Sequence, residues 1–269
     1  MGTLDSFSLK GKVAVVTGAT GLIGREHCRA LAEAGARVVA VDIQEAAVKD
    51  FAGTLGGGAV GHKLDVTNEA SVETLKAFLA KEMGGLDILV NNAAINEQFE
   101  NPIQARELSK FDSFPLEVFR KMLEVNVLGV FLCAQRLGAL MVEKKQGSII
   151  NVASPYGVVA PDQKLYVNPQ GEQAFYKSPA YPTTKAAVAH FTRYLARHWG
   201  PHGVRVNTLS PGGVENSQDG WFVENYSAKT PLGRMAKPTD YKGALVFLAS
   251  DASAYMTGAN LLVDGGFCA

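Results

Sequence analysis

Apolar positions along the chain follow two alternating periods. Short β-branched or aliphatic runs read as strands buried on both faces: Val13–Val16, Val38–Val41, Ala59–Val66, Leu86–Val90, Ser148–Val152, Arg205–Leu209 and Leu261–Val263. Between them the apolar residues recur at helical spacing. Cys28, Leu31 and Ala32 follow Gly24; Val72, Leu75 and Leu79 form a second face; Val188, Phe191, Leu195 and Trp199 a third; Leu245, Leu248 and Ala249 a fourth, in a helix opening at Asp240. A long helix is predicted over Leu116–Val142, and its middle, Val125–Ala134, is apolar nearly all round. Thr67 is placed to cap the helix that carries Val72. Residues 95–115, broken by Pro102 and Pro115, and residues 155–179 read as irregular. Strands alternating with helices predict one α/β domain over residues 1–269, a doubly wound Rossmann-type sheet of about seven parallel strands with helices on both faces.

The first strand runs straight into Gly18, Gly21 and Gly24. A glycine turn between strand and helix lets the backbone approach a pyrophosphate, and the helix start offers it free N–H groups and a positive dipole end. Asp42 closes the second strand, roughly 20 residues on, where an acid accepts hydrogen bonds from ribose hydroxyls. This context separates the glycines from an ordinary turn and points to dinucleotide binding. Open sheets of this kind bind ligands beyond the carboxyl ends of their strands, and Asn91, Ser154 and Pro211 all fall there.

Tyr181 and Lys185 are i and i+4, one turn apart on the same helical face. A nearby ammonium favours the phenolate and draws a tyrosine towards acid–base work on a hydroxyl or carbonyl oxygen. Alone, the spacing better fits a packed tyrosine beside a solvated lysine.

Composition narrows the classes. Hydrophobic residues at 47% and charged ones at 19% describe a globular chain. Twenty-six basic and 26 acidic residues give zero formal net charge, which favours neither nucleic acid nor a membrane surface as partner. Cys28, Cys133 and Cys268 form no disulfide framework, and His27, His62, His190, His198 and His202 lack ligand spacing, so no metal is expected. The N-terminus lacks the apolar core of a signal peptide, and no run approaches membrane-spanning length, so the expected location is cytoplasmic.

From Lys12 to Gly266 the chain resembles the short-chain dehydrogenase/reductase family. The resemblance rests on Thr17-Gly18…Gly24, Asp65-Val66, Asn91-Asn92-Ala93, Asn126, Ser154, Tyr181…Lys185, Pro211-Gly212 and Asp264-Gly265-Gly266, all in family order. It implies hydride transfer between a secondary alcohol or ketone and a nicotinamide, with a small-molecule substrate and a homodimer or homotetramer. It implies Tyr181 as general acid/base, Ser154 as donor to the substrate oxygen, Lys185 on the nicotinamide ribose and Asn126 holding a proton-relaying water. Gly18, Gly21, Leu22, Ile23, Gly24, Asp65, Val66, Asn92, Ala93, Pro211, Gly212 and Val214 would line the cofactor. Asp42 would repel a 2′-phosphate, which favours NAD over NADP.

The chain departs from the family pattern in its glycine spacing and in two insertions. The glycine spacing is common in sugar-nucleotide epimerases, but this chain ends three residues past Gly266, leaving no room for their substrate domain. The segment between Ser154 and Tyr181 is about twice the usual length, with Tyr156, Gln163, Lys164, Tyr166, Asn168, Gln173 and Tyr176. The loop before Asn126 adds Gln98, Asn101, Gln104 and Arg106. Both are expected to wall the pocket with hydrogen-bonding side chains suited to a sugar or sugar acid, under a lid over 215–230 carrying Trp221, Phe222 and Tyr226. Tyr156–Asp162 and Ser210–Asn216 also resemble a narrower subgroup encoded with surface-sugar and flagellin-modification genes. The alternatives are a dehydrogenase of a cyclic diol or hydroxy acid, and a catalytically silent NAD-sensing protein.

Overall fold

The computed structural model describes residues 2–96 and 102–269. Seven parallel strands form one sheet in the order β3-β2-β1-β4-β5-β6-β7: β1 Val13–Thr17, β2 Arg37–Asp42, β3 Val60–Lys63, β4 Ile88–Asn91, β5 Gly147–Val152, β6 Val204–Pro211 and β7 Asn260–Val263. The direction of winding reverses between β1 and β4, which opens a crevice at the strands' carboxyl ends.

Alternation along the strands divides the core. Ala14, Val16, Val38, Ala40, Ile150 and Leu209 pack beneath α1 (Leu22–Glu33), α2 (Glu45–Gly53) and α9 (Lys242–Ala249). Val13, Val15, Val39, Leu89, Ile149 and Val206 pack against α3 (Glu69–Glu82), α6 (Gly129–Lys144) and α7 (Ala180–Trp199). Strands covered on both faces therefore read as unbroken apolar runs.

Several boundaries differ from the sequence expectation for local reasons. β3 stops at Lys63 because the Asp65 carboxylate accepts from both Thr67 N (2.9 Å) and Thr67 Oγ1 (2.7 Å), turning the chain. Thr67 is thereby occupied, and Asn68 caps α3 instead, its Oδ1 accepting from Ser71 N at 3.0 Å. α1 begins at Leu22, two residues before Gly24. Within 95–115 lies a helix, α4 (Pro102–Leu108), and Pro115 is the N-cap of α5 (Leu116–Leu123). Both prolines mark helix starts, where their missing N–H groups cost nothing.

The continuous run Leu116–Lys144 is long and apolar enough to cross a membrane, contrary to the sequence reading. Its second half, α6, packs on β4, β5 and α3 and buries Cys133, Ala134, Leu137 and Met141, so its apolarity serves the layer beneath the sheet. The all-round apolar stretch also leaves Leu128 and Phe131 exposed.

Candidate active site

The glycine turn is held from behind. Thr17 Oγ1 accepts from Asn92 N (3.0 Å) and Ala93 N (2.9 Å), while Asn92 Nδ2 donates to the carbonyls of Thr17 (2.9 Å) and Gly18 (3.1 Å). Asn92, expected to line a cofactor, thus spends its amide on the turn itself. Gly18 sits at φ +64°, and a Cβ on Gly24 would run into the carbonyl oxygen of Gly18, so α1 starts tight against the turn. Its N-cap, Gly21, makes no side-chain capping bond, which leaves first-turn N–H groups for an anionic ligand. The Asp42 carboxylate stands beside this turn, its Oδ2 accepting from Thr20 N (3.1 Å) and Thr20 Oγ1 (2.7 Å) and its Oδ1 from Gln44 N (3.2 Å).

The catalytic candidates gather around the first turns of α7. Asn126 lies buried in a π-helical turn, Glu124–Leu128, between α5 and α6. Its Oδ1 accepts from Ile95 N (2.8 Å), and its Nδ2 donates to Ile95 O (2.9 Å) and Thr184 Oγ1 (3.2 Å). Thr184 Oγ1 in turn donates to Tyr181 O at 2.8 Å, so Asn126 ties the segment after β4 to the helix bearing the tyrosine. Lys185 is buried and donates from Nζ to Val152 O at 2.9 Å; burial lowers its pKa to about 8. Ser154, also buried, ends the strand side of the site. Its Oγ accepts from Tyr156 N at 3.2 Å and opens a 3₁₀ turn, Pro155–Gly157, that packs on α7.

A cavity of about 940 Å³ joins these parts, with Ile23 of the first turn of α1, Ser154, Tyr181, Pro211, Gly212 and Val214 on its walls. Asn126 and Lys185 are buried behind it, and Asp42, Asp65 and Val66 lie outside it, at and beyond the ends of β2 and β3. Val66 packs against α6 at Gly129.

The insertion behaves differently from the sequence expectation. Gln163 bonds both backbone groups of Lys177, Gln173 Nε2 donates to the carbonyls of Gln163 (2.9 Å) and Phe175 (2.7 Å), and Asn168 Oδ1 accepts from Gln170 N and Glu172 N. These amides fold the insertion. The wall it presents to the cavity is Pro155, Tyr156, Tyr166, Phe175 and Lys177. Of the other loop, Asn96 and Ala105 reach the cavity and Arg106 is exposed; Gln98 and Asn101 lie outside the described residues, as does the Gln104 side chain. The lid expectation holds a helix, α8 (Gly220–Lys229), with Trp221, Phe222 and Tyr226 on the cavity. Tyr226 Oη accepts from Gly213 N at 2.7 Å, and its ring stacks on Phe267 at 4.7 Å.

Lys177, Asn96 and Phe175 were not singled out from sequence. Lys177 stands four residues before Tyr181, but Pro179 between them hides any helical spacing.

A family model described as enoyl-(acyl carrier protein) reductase matches residues 18–268. The chain belongs to the short-chain dehydrogenase/reductase family. This dehydrogenase is 36% identical to the D-threitol dehydrogenase of Mycolicibacterium smegmatis, over 97% of this chain and 94% of that one. It is also 36% identical to a 3-alpha-(or 20-beta)-hydroxysteroid dehydrogenase of Mycobacterium tuberculosis, over 96% and 90% of the two chains. A solved gluconate 5-dehydrogenase from Burkholderia cenocepacia J2315, in complex with NADP and tartrate, superposes with a TM-score of 0.86 at 31% identity, covering 99% and 98%. The dehydrogenase is therefore an oxidoreductase with a nicotinamide cofactor. Equal identity to relatives named for so different alcohols leaves the substrate to the cavity itself.

Proposed function

We propose that the whole chain, residues 1–269, acts as one domain that uses NAD(H) to interconvert a secondary alcohol and a ketone on a polar, sugar- or sugar-acid-like molecule. The observation that carries this reading is the shared cavity, which runs from Ile23 to Ser154 and Tyr181 and has Lys177 and Asn96 on its wall. The relatives named for threitol and gluconate support a polyol or sugar acid, as does the subgroup resemblance to surface-sugar enzymes.

The residues present fit a dinucleotide. The uncapped first turn of α1 would take the pyrophosphate, with Gly18, Gly21, Leu22, Ile23 and Gly24 around it. Asp65 and Val66 would flank the adenine, Asn92 and Ala93 would line the cofactor, and Pro211, Gly212 and Val214 would lie on the nicotinamide side. Asp42 supports NAD: its carboxylate would meet a 2′-phosphate as a like charge, although the gluconate relative holds NADP. When bound, the nicotinamide accepts or donates the hydride. Tyr181 takes the hydroxyl proton during oxidation and returns it during reduction. Ser154 donates to the substrate oxygen where charge develops. Lys185 holds the ribose and favours the phenolate, and Asn126 holds the relay water.

The reading also includes a cytoplasmic homodimer or homotetramer. Exposed Phe131 of α6 packs on Phe191 of α7, which stacks on exposed Tyr194, and Leu128 of the π-turn is exposed as well, an apolar face suited to a second copy. The test is NADH formation with NAD across sugars, sugar acids and polyols, beside Tyr181→Phe. Turnover that needs Tyr181, prefers NAD and favours these substrates is the expected result. The aromatic wall and the hydroxysteroid relative support a second reading, and turnover confined to apolar alcohols would replace the first with it.

A further inference from the structure

Helix α8 carries two sets of side chains at helical spacing, and each set is already engaged. Phe222, Asn225 and Lys229 share one face, at i, i+3 and i+7, and meet the insertion. The Phe222 ring stacks on Tyr166 with centroids 5.5 Å apart. Asn225 Nδ2 donates to the carbonyls of Leu165 (3.2 Å) and Val167 (3.1 Å), the residues on either side of Tyr166. Lys229 pairs with the carboxylate of Asp162, the N-cap of the 3₁₀ turn Gln163–Tyr166. Beside this stripe, Tyr226 accepts from Gly213 N and stacks on Phe267. Leu165, Tyr166, Tyr226 and Met235 are buried together as a small apolar core, separate from those on the two faces of the sheet. The connection entering α8 is also closed on itself: Asn216 N donates to Gln218 Oε1 (2.6 Å), and Gln218 Nε2 donates to Val214 O (2.8 Å).

We propose that Asn225 is a positioning residue that pins α8 to the insertion, so that the two make one fixed wall and the pocket is shaped before substrate arrives. Of the three contacts on the stripe, the amide decides the geometry. The Lys229–Asp162 pair is largely exposed, and such pairs contribute little. Apolar packing of Phe222 on Tyr166 is non-directional and tolerates sliding. A side-chain amide has two N–H groups, and here both are given to carbonyls two residues apart, which fixes the register of α8 on the turn. Leu165 is buried, so its carbonyl loses a partner that water does not readily replace when Asn225 is removed. A segment that orders only on binding subtracts its ordering entropy from the affinity, whereas a wall ordered in advance does not. The insertion therefore acts on substrate at one remove as well, by holding Trp221 and Phe222 of α8 on the cavity. Selection follows from fit to a standing shape, without the swing that a closing lid requires.

The proposal rests on this cavity being the substrate pocket, and hydrogen exchange tests the brace without that premise. Exchange is followed by mass spectrometry on the full-length protein without ligand, in peptides covering residues 220–229. Wild-type amides there are expected to be protected, and N225L to speed their exchange about tenfold while peptides from α1 and β1 stay unchanged. Kinetics use whichever substrate is turned over fastest in a panel of sugars, sugar acids, polyols and apolar alcohols. N225L is expected to raise its KM about fivefold and to leave kcat within about twofold. Should N225L fail to fold, N225S carries the same expectation. Wild-type amides over 220–229 that exchange like an unprotected loop, or an N225L that leaves their protection unchanged, overturn the proposal alone. Faster exchange with an unchanged KM overturns the reading of this cavity as the substrate pocket, and the role of the wall with it.

Discussion

Lys185 carries its charge where the fold would be more stable without it. Burial lowers its pKa from 10.5 to about 8, so at pH 7 both folded and unfolded chains are protonated and the folded state bears the whole cost of desolvation. The bond to Val152 O offsets only part of it. K185M is therefore expected to abolish turnover yet raise the unfolding free energy at pH 7 by about 1–2 kcal/mol. The advantage should shrink as pH rises from about 8 towards 10.5, where the wild-type lysine enters the fold neutral. Urea melts at pH 7 and pH 10 measure both effects. His27 has the opposite site type, a buried ring with no catalytic task. Neither ring nitrogen has a hydrogen-bond partner among the described residues, and burial lowers its pKa from 6.5 to about 4. The unfolded chain binds this proton first as pH falls, so stability present above pH 6.5 is lost on the way down to pH 4, by up to about 3 kcal/mol. H27L should flatten that part of the acid limb in melts between pH 7 and pH 4.5; an unchanged slope would put the acid sensitivity elsewhere.

At the scale of elements, the π-turn Glu124–Leu128 explains why one long helix is two. The extra residue per turn lets Asn126 face Ile95 and Thr184 together, joining β4's exit to α7. N126L leaves both backbone groups of Ile95 without that partner. It is expected to cost about 2–3 kcal/mol in a thermal melt and to lower kcat, because α7 loses its tie to the neighbouring segment. This device was not legible in the sequence, where Leu116–Val142 shows only helical spacing. What was legible followed from burial: strands with both faces covered, and helices with one apolar stripe, gave their positions to within a few residues. The misses have a common cause, since local polar bonds decide them. Asp65 turning onto Thr67 shortened β3, and Pro102, read as a breaker, opens a helix. The site divides the same way. Motif positions placed Ser154 and Tyr181 on the cavity, but the amides Gln163, Asn168 and Gln173 were assigned to substrate and instead fold the insertion. Side-chain direction in an irregular segment depends on its tertiary partners, which composition does not carry.

Across the whole molecule, the cavity is closed by parts far apart in the chain. Tyr226 of α8 bonds the backbone after β6 through Gly213, while Phe267, past β7, stacks beneath it. Helix α8 is thus fastened to the same sheet end that supports the site. Y226F removes the acceptor for Gly213 N–H and keeps the stacked ring. It is expected to raise KM more than it lowers kcat, with a stability loss of about 1–2 kcal/mol; equal loss in both parameters would mean α8 serves the chemical step directly.

The two tryptophans fall at opposite ends of this architecture. Trp221 lines the cavity from the lid helix, whereas Trp199 packs against Gly138 at the last turn of α7, roughly 27 Å along that helix from Tyr181. Indole emission overlaps the absorption of reduced nicotinamide, so energy transfer on cofactor binding should come chiefly from Trp221. The protein carries its own optical gauge of cofactor binding, expected to persist in W199F and to fall away in W221F, without any attached dye.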